Sequence, residues 1–131
     1  MCGYYYSYNI PIDSGVWDSI QRRGPESFNR IDVKNEHFGH ALLNTRGKST
    51  PQPIQNNAGT LVYNGSTYNS PLNDTKWIVD NLDETLETTV ELIKTLIGEY
   101  SLTYVTDRHI VFAVDQWSSK NLFFYYDRES R

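Results

Sequence analysis

An α+β fold, with strands toward both ends of the chain and two helices between them, is what the sequence predicts. Three observations carry it. A run of tyrosines opens the chain. Leu86, Val90, Ile93 and Ile97 recur at i, i+4, i+7 and i+11, one stripe of a helix. After Gly98 the residues alternate, with Tyr100, Leu102 and Tyr104 on one face and Ile110, Phe112 and Val114 on the face of a following strand. Strands, helices and strands again in one short chain read as a layered α+β domain.

The elements follow in order. Residues 3–9 are a nearly continuous aromatic run, which favours a strand covered on both faces. Residues 11–13 form a turn. Ser14 is placed to cap a short helix bearing Trp17 and Ile20, and Gly24-Pro25 stops it. Residues 36–44 make the next strand, and residues 45–59, rich in Gly, Pro and Asn, a loop. Thr60 to Tyr63 is a short strand, ended by Asn64-Gly65 as a turn because both residues tolerate positive φ. Asn73 or Asp74 caps a helix running to about Leu82 with Trp77 and Ile78 inward. The striped helix spans about Glu84 to Ile97, and Gly98 ends it. Asp107-Arg108 turns a hairpin, and Leu122 to Tyr126 reads as a last strand.

Composition narrows the function classes. At 131 residues the chain is one domain, 1–131. Hydrophobic residues at 38% against 21% charged are enough for a core. A net charge of −4 disfavours a general grip on nucleic acid or anionic membrane. No apolar run approaches the ~20 residues of a membrane span, and no signal segment opens the chain. One cysteine forms no internal disulfide and gives no sign of secretion. A cytoplasmic protein is expected.

The cysteine stands at position 2. A free cysteine is usually a small buried hydrophobe. After removal of Met1, however, Cys2 carries a thiol and an α-amine on one residue. The amine titrates near ~8 and can act as base for its own thiol. His37, His40 and His109 have no metal-ligand spacing with Cys2, and His37 and His40 fall on opposite faces of a strand, so no metal is expected. Gly47-Lys48-Ser49 lacks the upstream glycine of a phosphate loop. The tyrosines at 4–6 suit a strand core better than base stacking.

Several short motifs stand in order: Met1-Cys2-Gly3; residues 21–27, Gln-Arg-Arg-Gly-Pro-Glu-Ser; Gly39-His40-Ala41-Leu42-Leu43; Thr45-Arg46-Gly47 with Pro51-Gln52-Pro53; residues 62–69, Val-Tyr-Asn-Gly-Ser-Thr-Tyr-Asn; Asn73-Asp74-Thr75; and Gly98-Glu99-Tyr100-Ser101. Together they resemble the N-terminal class II glutamine amidotransferase domain of asparagine synthetases, nearest the branch called asparagine synthetase domain-containing proteins. The resemblance covers nearly the whole chain. It implies the four-layer αββα sandwich of N-terminal nucleophile hydrolases and hydrolysis of L-glutamine to glutamate and ammonia. Cys2 matches the nucleophile, and Asn64 and Gly65 match the oxyanion hole, where losing one donor typically costs ~10²–10³ in rate. Asp74 matches the carboxylate that receives the substrate's α-ammonium; a plain helix N-cap needs the same residue type. Arg23-Gly24-Pro25 matches the loop flanking the nucleophile. The implied partner is an ATP-using synthetase domain or subunit. This domain carries no pyrophosphate loop, and no cofactor is expected in it.

Three positions depart from the pattern. Leu42 stands where the family has an arginine that clamps the substrate α-carboxylate. Arg46 lies four residues on, about 13 Å along an extended strand. It replaces that arginine only if the strand bulges or ends early, and otherwise it is a solvated loop residue. Ser66 replaces a glutamate that helps hold the α-amine. Ala113-Val114-Asp115 replaces Gly-Arg-Asp. Losing two charge-assisted bonds of ~1.5–3 kcal/mol each weakens binding by orders of magnitude. A second reading follows: a catalytically degenerate amidotransferase fold serving as a scaffold or interaction module. The ending at residues 127–131, straight after an expected strand, predicts a sandwich truncated at its C-terminal edge.

Overall fold

The computed structural model describes residues 2–45 and 48–130. Two antiparallel sheets and three α-helices make an α+β fold. The elements are β1 (Gly3–Tyr8), α1 (Ser14–Gln21), β2 (Ser27–Val33), β3 (Glu36–Leu42), β4 (Ile54–Gln55), β5 (Gly59–Thr67), α2 (Asp74–Asp80), α3 (Leu86–Thr95), β6 (Gly98–Thr106) and β7 (Ile110–Val114), with a 3₁₀ turn at Arg128–Ser130. The first sheet has the order β1-β3-β2 and the second β4-β5-β6-β7.

Side-chain alternation sets the packing. On β1, Tyr5 points to α1, where its ring meets Trp17 edge-on at 5.5 Å. Gly39 makes room for this pair, since a Cβ there would lie 2.4 Å from the Tyr5 ring. Tyr4 and Tyr6 point the other way and pack with Phe38 against Val62 and Val105 of the second sheet. The far face of that sheet carries Leu61, Tyr63, Tyr100, Leu102 and Tyr104. These meet Ile78, Val79 and Leu82 at α2, and Leu92, Ile93 and Leu96 at α3. The order of packing is α1, first sheet, second sheet, then α2 and α3. No helix among the described residues is long and apolar enough to cross a membrane.

Several sequence expectations change. Asn64-Gly65 is not a turn: both residues lie within β5, paired with Ser101 and Tyr100. Gly65 takes its positive φ of 156° inside the strand, where a Cβ would sit 2.1 Å from the Glu99 carbonyl oxygen. Residues 27–33, with few apolar side chains, form β2, and Lys34 at φ 56° turns the chain into β3. The 45–59 loop contains β4 and the buried Gln52. Asp13, not Ser14, caps α1 by accepting from the backbone N–H groups of Gly15 and Val16. Asn73 caps α2, which ends at Asp80.

The striped helix is shorter than expected and turned. Leu86, Val90 and Ile97 are exposed. Thr89 is fully buried instead, its hydroxyl bonded back to the Thr85 carbonyl, so a polar residue sits inward at no unsatisfied cost. Leu96 caps the helix in an extended conformation, and Gly98 already belongs to β6. Residues 122–126 form no strand: Phe123, Phe124, Tyr125 and Tyr126 are exposed, with Phe124 set edge-on to Phe112. Aromatic content favours a strand, but a strand forms only by pairing with an edge.

Candidate functional site

Cys2 enters β1 opposite the end of β3, because Gly3 pairs with Ala41. Its Sγ accepts a hydrogen bond from the Leu43 N–H at 3.4 Å and lies 3.5 Å from the Leu43 carbonyl oxygen. The 22–26 loop holds the same place from the side. Arg23 Nε donates to the Cys2 carbonyl at 3.4 Å, and the Glu26 N–H donates to Leu42 at 3.1 Å. Gly24 allows this approach, since a Cβ there would lie 2.3 Å from the Ala41 backbone. Burial pushes the thiol pKa up and outweighs the Leu43 N–H, while the carboxylates of Glu26 and Asp74 add to the rise. The thiol is therefore neutral at neutral pH and needs a base to react.

Beside the thiol is an open cleft lined by Cys2, Leu42, Lys48, Gly65, Ser66 and Asp74, among others. The residues come from the position just before β1, the end of β3, the loop that follows it, β5 and the start of α2. Lys48 and Asp74 are the charged side chains among the described lining residues.

The backbone edge of β5 gives this cleft its chemistry. Strand β6 uses Tyr100 toward β7 and its hairpin: the Asp115 N–H donates to the Tyr100 carbonyl, and the Tyr100 N–H donates to the Asp115 carboxylate, each at 3.0 Å. Its partner Gly65 therefore turns its own N–H and C=O away from β6. Along the same edge the Tyr63 N–H donates to Gln52 Oε1 at 2.6 Å, the Tyr63 carbonyl accepts from His40 Nε2 at 3.0 Å, and the Thr67 N–H donates to Asp74 Oδ2 at 3.0 Å. The Gly65 N–H between them has no partner among the described residues.

Asp74 is the first residue of α2, next to the N-cap Asn73. Its carboxylate accepts from the Tyr63 hydroxyl and the Thr67 N–H through Oδ2, and from the Thr75 N–H at 2.8 Å through Oδ1. Tyr63 also shares a hydroxyl contact with Thr67 at 2.7 Å. Burial, then the Asp74 charge, raises the Tyr63 pKa beyond any physiological range, so its hydroxyl stays a donor. Asp74 is thus held in place at the cleft wall, with lone-pair directions still available for a cation.

The structure brings Cys2, Gly65 and Asp74 together in one cleft. Asn64 is not among the lining residues. It follows Tyr63 on the strand face shared with Val62, toward the first sheet, and its nearly buried carboxamide makes no hydrogen bond among the described residues. Arg46 lies outside the described residues. Leu42 does line the cleft and brings no charge to it. Lys48 is what the sequence reading missed at this site. The spacing of Gly47-Lys48-Ser49 speaks only to a phosphate loop, and the place of Lys48 in the cleft with Cys2 is a tertiary fact.

His40 stands just behind the site, fully buried. Its Nε2 donates to the Tyr63 carbonyl, so that nitrogen carries the proton, while Nδ1 has no partner among the described residues. Burial lowers its pKa to about 4, against a smaller opposing effect of the Tyr63 carbonyl, and the ring is neutral at pH 7. Comparison with protein-family models, curated proteins and solved structures gives no match to this chain.

Proposed function

We propose that the chain is a glutamine amidotransferase domain of the class II type, hydrolysing L-glutamine to glutamate and ammonia. The observation that carries this reading is the Gly65 N–H, unpartnered among the described residues, on the cleft that also holds Cys2. A nucleophile needs a donor aimed at the oxygen it makes anionic, and the N–H groups of Tyr63 and Thr67 on that strand edge are already used. Asp74 in the same cleft suits the α-ammonium of an amino acid. The packing order of α1, two sheets and then α2 with α3 is compatible with the αββα sandwich of N-terminal nucleophile hydrolases.

In the proposed reaction, Met1 is removed and the freed α-amine takes the Cys2 proton. The thiolate attacks the side-chain amide carbon, and the carbonyl oxygen becomes an oxyanion facing the Gly65 N–H. Collapse breaks the C–N bond, and ammonia leaves with the proton returned from the α-ammonium. Water then adds to the thioester, releasing glutamate and the thiol. Ammonia passes to a synthetase domain or subunit that uses ATP, in the cytoplasm. The test is intact-mass analysis of the N-terminus with a glutaminase assay on wild type and Cys2→Ala. Trimmed methionine with activity lost in Cys2→Ala is the expected result; retained methionine, or equal rates, overturns the proposal.

A second reading, a degenerate fold used as a scaffold, is favoured by Leu42 in the cleft wall and by the three bonds that Asp74 already accepts. It requires that calorimetry find no saturable glutamine binding.

A further inference from the structure

We infer that Lys48 is the carboxylate-binding residue of the cleft, which makes the site selective for zwitterionic α-amino acids that present their reactive side chain to Cys2. The inference rests on the cleft's being a substrate site, as proposed above, but not on glutamine's being the substrate.

The argument begins with charge. Among the described residues lining the cleft, Lys48 and Asp74 are the charged side chains, one of each sign, and the thiol of Cys2 is in the same cleft. Asp74 is fixed by three hydrogen bonds and presents a carboxylate. Lys48 is exposed and forms no ion pair or hydrogen bond among the described residues, unlike Lys34, Lys76 and Lys94, each paired with a carboxylate. An unpaired ammonium and an anchored carboxylate in one cleft are complementary to a ligand carrying both charges. The α-carbon of an amino acid bears them on adjacent bonds, and its side chain then extends toward the thiol. A dicarboxylate meets Asp74 as a like charge, and a simple amide gains nothing from either group. The remaining lining residues are consistent with this. Thr45, Ser49, Thr50 and Asn73 supply neutral polar groups around the two charges, and Leu42 and Leu72 supply an apolar wall for a methylene chain.

The test separates carboxylate recognition from turnover. The full chain is treated with an α-amino acid whose side chain ends in a chloromethyl ketone, or with the methyl ester of the same compound. In both cases the Cys2 thiolate displaces chloride, forming a C–S bond as the C–Cl bond breaks. Labelling rates are followed by intact mass, and Cys2 is the one thiol present. The free acid is expected to label about 10–100-fold faster than the ester in the wild type, the worth of one charge-assisted bond. That preference is expected to fall to near unity in Lys48→Ala and to be retained in Lys48→Arg. Equal labelling by acid and ester in the wild type overturns the inference. So does a preference that survives in Lys48→Ala and disappears in Arg46→Ala. An acid preference dependent on Lys48 in a protein without glutaminase activity upholds the inference and removes the glutaminase reading. Unchanged thermal melting of Lys48→Ala, expected for an exposed side chain, shows that the comparison is between folded proteins.

Discussion

His40 gives a prediction whose size follows from its surroundings. The ring is fully buried, with Nε2 donating to the Tyr63 carbonyl and Nδ1 without a partner among the described residues. Protonating Nδ1 places a charge in a buried position with no acceptor among the described residues, and burial accordingly lowers the pKa from 6.5 to about 4. The folded protein therefore resists a proton that the unfolded chain accepts. Stability from this residue is fully present above pH 6.5 and is lost as pH falls toward 4. At about 1.36 kcal/mol per pH unit the loss across that window is about 3 kcal/mol, a large part of the stability of an ordinary domain. The assay is urea unfolding of wild type and His40→Met from pH 7.5 to pH 4. Contributions from Glu36, Asp83 and Asp115 are common to both proteins and cancel in the difference. The wild type should lose about 3 kcal/mol more than the variant, beginning below pH 6.5. Parallel pH profiles, or an NMR titration of His40 near 6.5, would refute the reasoning.

Three further outcomes are expected. Gly65→Ala brings a Cβ to 2.1 Å from the Glu99 carbonyl oxygen at a φ of 156°, so it should destabilise by about 3 kcal/mol or prevent folding; a wild-type thermal melt would contradict the close approach of β5 and β6. Asp115→Ala removes the acceptor of the Tyr100, Trp117 and Ser119 N–H groups and of the Ser119 hydroxyl. It should cost about 2–3 kcal/mol at pH 7, read by chemical denaturation. Burial raises the Asp115 pKa, but those donors outweigh it and hold it below 3.8, so its stabilisation is present above that pH and fades below it. Tyr63→Phe deletes one donor to Asp74 and the contact with Thr67; it should lower stability by about 1 kcal/mol and weaken glutamine binding several-fold in calorimetry. Unchanged binding would mean that Asp74 does not meet the ligand.

Much of the local structure was legible in the sequence because its causes are local. The tyrosine run makes β1, Gly24-Pro25 ends the stretch after α1, and the alternation of Tyr100, Leu102 and Tyr104 turns one face of β6 to the helices. Errors arose where long-range partners override local preference. Asn64-Gly65 carries a turn signature, yet β6 pairs with the whole of β5 and keeps the pair in the strand. Residues 27–33 have too few apolar side chains to read as a strand, but an edge position beside β3 asks for few. Residues 122–126 have strand composition without a strand to join. Thr89 faces inward because its hydroxyl is satisfied within its own helix, which an apolar count does not register.

The sequence by itself determined the chemistry that is available: one thiol at position 2, the glycine at 65, the carboxylate at 74 and the amine at 48. It also determined most of the strands and helices that carry them. The tertiary structure alone decided that these four line one cleft, that the Gly65 N–H is left over when its neighbours are bonded, and that His40 is sealed behind them. The physical reason is the same in each case. Residues separated by tens of positions meet only when sheet register and layer packing fix where each strand ends, and those are properties of the pairing, not of any one segment.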